Sequence, residues 1–128
     1  MQEHEVRALM ERWFTAMDPE VEYAARSQDF TVEFPQSGEL LDREGLRELQ
    51  RHFPGGPPRI QVRRISGRGD VWAVESVITY ADGGVFHAVN IVEFSGGLIS
   101  RETRYYGQPF QAPAWRAEWA RPLAPLGD

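Results

Sequence analysis

Apolar side chains in the first seventeen residues fall at Val6, Leu9, Met10, Trp13, Phe14 and Met17. Steps of three, one, three, one and three put all six on one stripe of a helix. Asp18-Pro19 follows and predicts a second, short helix, with Asp18 as N-cap and Pro19 at the first helical position. Glu20 and Glu22 then stand near its positive end. At Phe30, Val32 and Phe34 the period changes to two, which predicts a strand over 30–34 that stops at Pro35. Asp42 can cap a third helix, with Leu41 stapled to Leu46 and a buried stripe of Leu46, Leu49 and Phe53. The run Pro54-Gly55-Gly56-Pro57-Pro58 ends it.

Beyond that point the pattern is strand. Segments 59–65, 71–80, 85–94 and 98–106 are rich in valine, isoleucine and aromatics. Ser66–Asp70, Asp82-Gly83-Gly84 and Ser95-Gly96-Gly97 separate them with turn chemistry, and links this short force antiparallel neighbours. The order is helix, helix, strand, helix, then a four-strand meander. Helices segregated from an antiparallel sheet make an α+β fold. Three helices lying in the hollow of a curled sheet leave a cone-shaped pocket. One domain over 1–121 is expected, with 122–128 as a loose tail.

Register decides which side chains face that pocket, because a slip of one residue inverts the faces. Pairing Tyr80 with Val85, and Phe94 with Leu98, lines up Glu75, Asn90 and Glu102 across three strands, with Arg104 diagonal to Asn90. Their facemates are Val77, Phe86, Ala88, Val92, Phe94 and Tyr106. A polar row in an apolar face is informative, since unpaired buried charge is costly. A two-residue second turn would instead present Arg101, Thr103 and Tyr105. In the functional reading of the row, Glu102 and Glu75 titrate apart as acid and base, Arg104 orients one of them, and Asn90 positions a ligand or water. A purely structural network of the same residues is the alternative. The opposite face carries Trp72, Val74, Ile78, Tyr80, Val89, Ile91, Ile99 and Tyr105, too apolar for water, and predicts a homodimer through that face. Trp115 and Trp119, after Pro113, are expected to pack on a sheet edge or a neighbouring subunit.

Composition narrows the classes. The chain has 128 residues, a net charge of −5 and no cysteine. Nucleic acid is therefore not an expected partner, and cysteine zinc sites and disulfides are excluded. His4, His52 and His87 are scattered without metal-ligand spacing, so neither a metal nor a cofactor is expected. No apolar run is long enough for a membrane span, so a cytoplasmic protein is the expectation.

Four strings, LMERWFTAMD, FTVEFP, NIVEFSGGLI and RETRYYGQPFQAPAWRAEW, resemble the nuclear transport factor 2-like superfamily, most of all its SnoaL-like branch and the actinobacterial-type members of that branch. The resemblance covers nearly the whole chain and implies the cone-shaped α+β fold. That superfamily hosts isomerases, cyclases, hydrolases, dehydratases and plain binding domains, so the fold does not fix the function. Residue by residue, the base aspartate of its steroid isomerases falls at Phe34, their oxyanion-hole tyrosine at Trp13 and their protonated aspartate at Asn90. The resemblance thus implies a ligand pocket touching Trp13, Phe34, Asn90, Arg104 and Tyr106, with Glu102 on its wall. The usual base is missing. The two aspartates and arginine of the superfamily's epoxide hydrolases find no clean match either, since their last-strand acid falls near Arg104. What remains is a small-molecule-binding protein, either an isomerase-, cyclase- or hydrolase-type enzyme on an apolar oxygenated substrate or a non-catalytic binding or dimerisation module.

Overall fold

A computed structural model describes residues 2–126. Helix α1 spans Glu3–Ala16 and ends where Met17 turns left-handed, with φ 50°. Helix α2 spans Pro19–Ala25, capped by the Asp18 carboxylate on the Glu20 amide at 3.0 Å. Helix α3 spans Arg43–Arg51, and the Asp42 carboxylate accepts from the Gly45 amide at 2.7 Å. Both expected caps are in place, as is the Leu41 packing beside a fully buried Leu46. Leu49 departs from expectation and stands 37% exposed, so the buried stripe of α3 is narrower than its sequence implies.

Six strands form one open sheet: β1 (Arg26–Phe34), β2 (Glu39–Asp42), β3 (Arg59–Arg68), β4 (Val71–Thr79), β5 (Val85–Ser95) and β6 (Leu98–Gly107), in the order β2-β1-β6-β5-β4-β3. The meander β3 to β6 is antiparallel as expected. Two features correct the sequence reading. Strand β1 begins four residues early and lies parallel to β6, which makes the sheet mixed. Residues 39–42 form an extra edge strand antiparallel to β1, where no strand was expected.

The core fills the space between α1, α3 and the inner sheet face, with Met10, Phe30, Val32, Leu46, Trp72 and Val74 fully buried. Arg7 anchors α1 to the sheet by donating from Nη1 to the Ile65 carbonyl and stacking its guanidinium 5.2 Å above the Trp72 ring. Gly67 is required beside that indole, because a Cβ there would come within 2.6 Å of Trp72.

Both hairpins close differently from the expected counts. Between β4 and β5 the Tyr80 amide donates to the Gly84 carbonyl at 2.9 Å, with Gly83 at φ 89° and the Asp82 carboxylate on the Gly84 amide. That is a three-residue loop with glycine in the left-handed position. Thr79, not Tyr80, therefore pairs with Val85, and Val74 lies opposite Asn90. The one-residue slip turns β4 over. Trp72, Val74, Ser76 and Ile78 face inward and are buried, whereas Glu75 and Val77 go to the outer face.

The second hairpin has two compensating departures. Gly96 and Gly97, at φ 59° and 82°, make a two-residue turn, so Ser95 pairs with Leu98. A bulge at Ser100 then restores the face. Asn90 ends up opposite Arg104 and Val92 opposite Glu102, with Glu102, Arg104 and Tyr106 inside as expected.

After Gly107 the chain leaves the sheet. A single 3-10 turn, Ala114–Arg116, carries Trp115 at 74% exposure, and Trp119 is 73% exposed. Neither tryptophan covers a sheet edge within the chain. Residues 122–126 have no helix or strand, and Gly127 and Asp128 lie outside the described residues.

Candidate functional site

A pocket of about 690 Å³, counted out to its open mouth, lies between the helices and the inner face of β3 to β6. Its walls are mainly apolar: Trp13, Phe14 and Met17 from the end of α1, Phe53 and Pro58 after α3, Ile60 and Ile78 from the sheet. The polar lining is small and specific, comprising Glu22, Gln50, Ser76, Tyr80, Asn90, Arg104 and Tyr106. A second, smaller cavity lies behind it, walled by Trp13, Phe14, Glu22, Arg26, Val92, Ile99 and Glu102.

Of the residues expected at the site, Trp13, Asn90, Arg104 and Tyr106 line the main pocket, and Glu102 lines the smaller cavity. Phe34 stands behind the pocket wall, stacked on Tyr106 at 6.3 Å and packed against the core. The exception is Glu75. On the outer face its carboxylate is held by Arg63 at 2.9 Å and Arg64 at 2.6 Å, and hydrogen bonding from Arg64 keeps it below the usual carboxylate range. The expected row of Glu75, Asn90 and Glu102 therefore does not form.

What replaces it is a buried chain of alternating charge running from α2 to β6. Glu102, 4% exposed, receives Asn90 Nδ2 at 3.0 Å and both Nε and Nη2 of Arg104 at 3.2 Å. Arg26 is 2% exposed, lies 5.2 Å from the Phe30 ring, and donates Nη1 to Gln50 Oε1 at 3.4 Å. Gln50 in turn donates to Glu22 at 3.0 Å, and Arg26 Nη2 lies 3.7 Å from the same carboxylate. Two buried donors in this region have no partner among the described residues: Ser76 Oγ and Arg26 Nε.

With that geometry in view, three solved structures can be set beside the chain. An NTF-2 like protein of unknown function from Burkholderia xenovorans LB400 is 35% identical, covers 97% of this chain and 99% of its own, and superposes with a TM-score of 0.87. The chain belongs to the NTF2-like family. A Kribbella flavida DSM 17836 protein with a provisional ketosteroid isomerase name shares the fold at 23% identity, TM-score 0.81, over 95% of this chain and 92% of its own. Wild-type IdmH from Streptomyces antibioticus, provisionally a polyketide cyclase, does so at 20% identity, TM-score 0.62, over 83% and 92%. No family model and no curated protein matches the chain.

In this NTF2-like pocket the buried carboxylates are pushed apart. Burial alone would raise Glu102. The guanidiniums of Arg104 and Arg26, with the hydrogen bonds from Arg104 and Asn90, outweigh that and hold it below the usual range. For Glu22 burial wins over Arg26 and Arg104, and its proton is held more tightly than usual. Burial depresses Arg26, whereas Glu102 draws Arg104 higher still, against its own burial.

Sequence reasoning missed Glu22, Arg26, Gln50 and Ser76. The i,i+4 spacing of Glu22 and Arg26 across the end of α2 was the available signal for the first pair. Ser76 was hidden by the slip in β4. Among the described residues no cluster of His, Asp or Glu could hold a metal ion, and no helix is long and apolar enough to cross a membrane.

Proposed function

We propose that this NTF2-like chain is a SnoaL-like small-molecule-binding protein whose pocket takes an apolar, oxygenated ligand for proton-transfer chemistry of the isomerase, cyclase or hydrolase type. The observation that carries this reading is the Ser76 hydroxyl, buried and without a partner among the described residues, in the wall of a mainly apolar pocket. A buried donor without a partner costs about 1–3 kcal/mol, and a ligand oxygen seated there removes that cost. Asn90 on the adjacent strand and Arg104 on the one beyond it add further donors for the same ligand. Apolar walls with a few convergent polar groups are the ordinary make-up of a small-molecule site.

The alternative, a non-catalytic binding or dimerisation module, draws support from Glu102, which has both oxygens engaged within the protein. The outer sheet face belongs to the proposal too. Val71, Val85, Val89 and Tyr105 are exposed there, a composition suited to covering by a second copy, although Trp72, Val74, Ile78, Tyr80 and Ile99 are not part of it. The site of action is the cytoplasm, in keeping with a chain that has no cysteine.

Calorimetric titration with naphthol and with naphthalene tests the pocket reading. Naphthol should bind, and Ser76→Ala should weaken it about tenfold, the scale of one hydrogen bond, without loss of fold. Equal affinity for both compounds, or binding of neither, contradicts the reading.

A further inference from the structure

Two cavities in this protein share one carboxylate. Glu22 reaches from α2 into the main pocket and also walls the smaller cavity behind it, with Trp13 and Phe14 common to both. Its side chain keeps 19% of its exposure, enough to meet a ligand. The other acids of the expected row are not open in this way. Glu102 is 4% exposed with its oxygens engaged by Asn90 and Arg104, and Glu75 is on the outer face between Arg63 and Arg64.

Partner geometry leaves Glu22 able to act. It accepts one hydrogen bond, from Gln50 Nε2 to Oε2 at 3.0 Å. Its Oε1 is 3.7 Å from Arg26 Nη2, beyond hydrogen-bond range, so that oxygen has no hydrogen bond among the described residues. Gln50 and Arg26 fix the orientation of the carboxylate, while Oε1 keeps only its 3.7 Å ion pair and can still accept a proton.

We propose that Glu22 is the proton-transfer group of this site: a carboxylate supplied from helix α2, facing a ligand whose oxygen is held by Ser76, Asn90 and Arg104 on the sheet. The proposal rests on the pocket reading above and deepens it by naming the base and the substrate class, a carbon acid activated by an adjacent oxygen function. The helix carries the base and the sheet carries the donors that meet developing negative charge. The groups facing Glu22 are Gln50 from α3, Arg26 from β1, and Glu102 with Arg104 from β6, while α1 contributes only Trp13 and Phe14. Burial among them raises its proton affinity above that of a free glutamate, which makes it a stronger base once ionised.

The test uses nitrobenzisoxazole, a flat apolar carbon acid that needs only a base. The carboxylate takes the proton on the ring carbon, the C–H electron pair becomes the third bond of a nitrile, and the N–O bond breaks to leave a coloured phenolate. Atoms and charge balance without oxidant, reductant or metal. Binding is measured in parallel by calorimetry, so the two readings can fail separately. The wild type should bind and turn over the probe, with a rate that falls as pH drops through a midpoint above the usual carboxylate range. Glu22→Gln, which keeps the shape and the Gln50 contact, should bind the probe but lose about 100-fold or more in rate, and should lose that midpoint. Glu22→Asp, which restores a carboxylate one carbon shorter, should recover part of the rate. Absence of probe binding contradicts the pocket reading and the proposal together. Binding without turnover, or a Glu22→Gln rate and pH profile equal to the wild type, overturns the assignment of Glu22 while leaving the pocket reading standing.

Discussion

Glutamate meets arginine on both faces of the sheet, in water on one and out of it on the other. On the outer face Glu75 sits between Arg63 and Arg64, whose side chains are 40% and 63% exposed. Water and salt screen that cluster, so its three charges act nearly independently of the fold. On the inner face Glu22, Arg26, Glu102 and Arg104 are largely withdrawn from water and sense one another through low dielectric. There the same residue types specialise. Glu102, with two guanidiniums beside it, remains ionised, and Glu22, with one hydrogen bond and a more distant arginine, keeps its proton longer. The contrast teaches that burial gives these charges their leverage on one another, and that pairing decides which carboxylate is depressed and which is raised.

That contrast sets the size of the expected effects. Arg104→Met should be the most damaging, because it strands the Glu102 carboxylate in the interior. Breaking a buried pair from one side costs about 3–5 kcal/mol, which denaturant unfolding would register as a large fall in midpoint. A midpoint close to wild type would mean that Arg26 alone can neutralise Glu102. Glu75→Gln should have the smallest effect, a slight fall in midpoint at low salt that disappears at high salt. A large, salt-independent loss would show that the outer cluster is not screened.

The elements were easier to read from the sequence than the register. The helix caps at Asp18 and Asp42 and the α1 stripe follow from local chemistry, and the structure has all of them. Strand β2 was invisible because Glu39–Asp42 is short and mostly exposed, and its pairing with β1 is a tertiary choice. The parallel meeting of β1 and β6 joins segments about seventy residues apart, and no local pattern encodes it. The inner polar set turned on one loop. Whether Gly84 counts as turn or strand decides if Glu75 or Ser76 faces the pocket, and the sequence Asp82-Gly83-Gly84 accommodates both. Glu102, Arg104 and Tyr106 came out on the expected face only because the bulge at Ser100 cancels the shorter turn. Glu22 was legible as a helix residue, but its place in the pocket depends on how α2 lies against α3 and β1, which amphipathic pattern does not specify.

The central claim is that two inner glutamates titrate on opposite sides of the usual range. Its sign carries over to stability. Glu102, depressed in the fold, contributes stability that is present above the unfolded carboxylate pKa and is lost as pH falls through its folded value. Glu22, raised in the fold, does the reverse: stability declines as pH rises from the unfolded carboxylate range through its folded value. The direct measurement is a pH titration of the glutamate side-chain carboxyl carbons by NMR, on the wild type and on Glu22→Gln. The account predicts one resonance titrating clearly above the others that vanishes in Glu22→Gln, and low-titrating resonances, those of Glu102 and Glu75 among them, that do not. A wild type in which all glutamates titrate together, or a high-titrating resonance that survives Glu22→Gln, contradicts it.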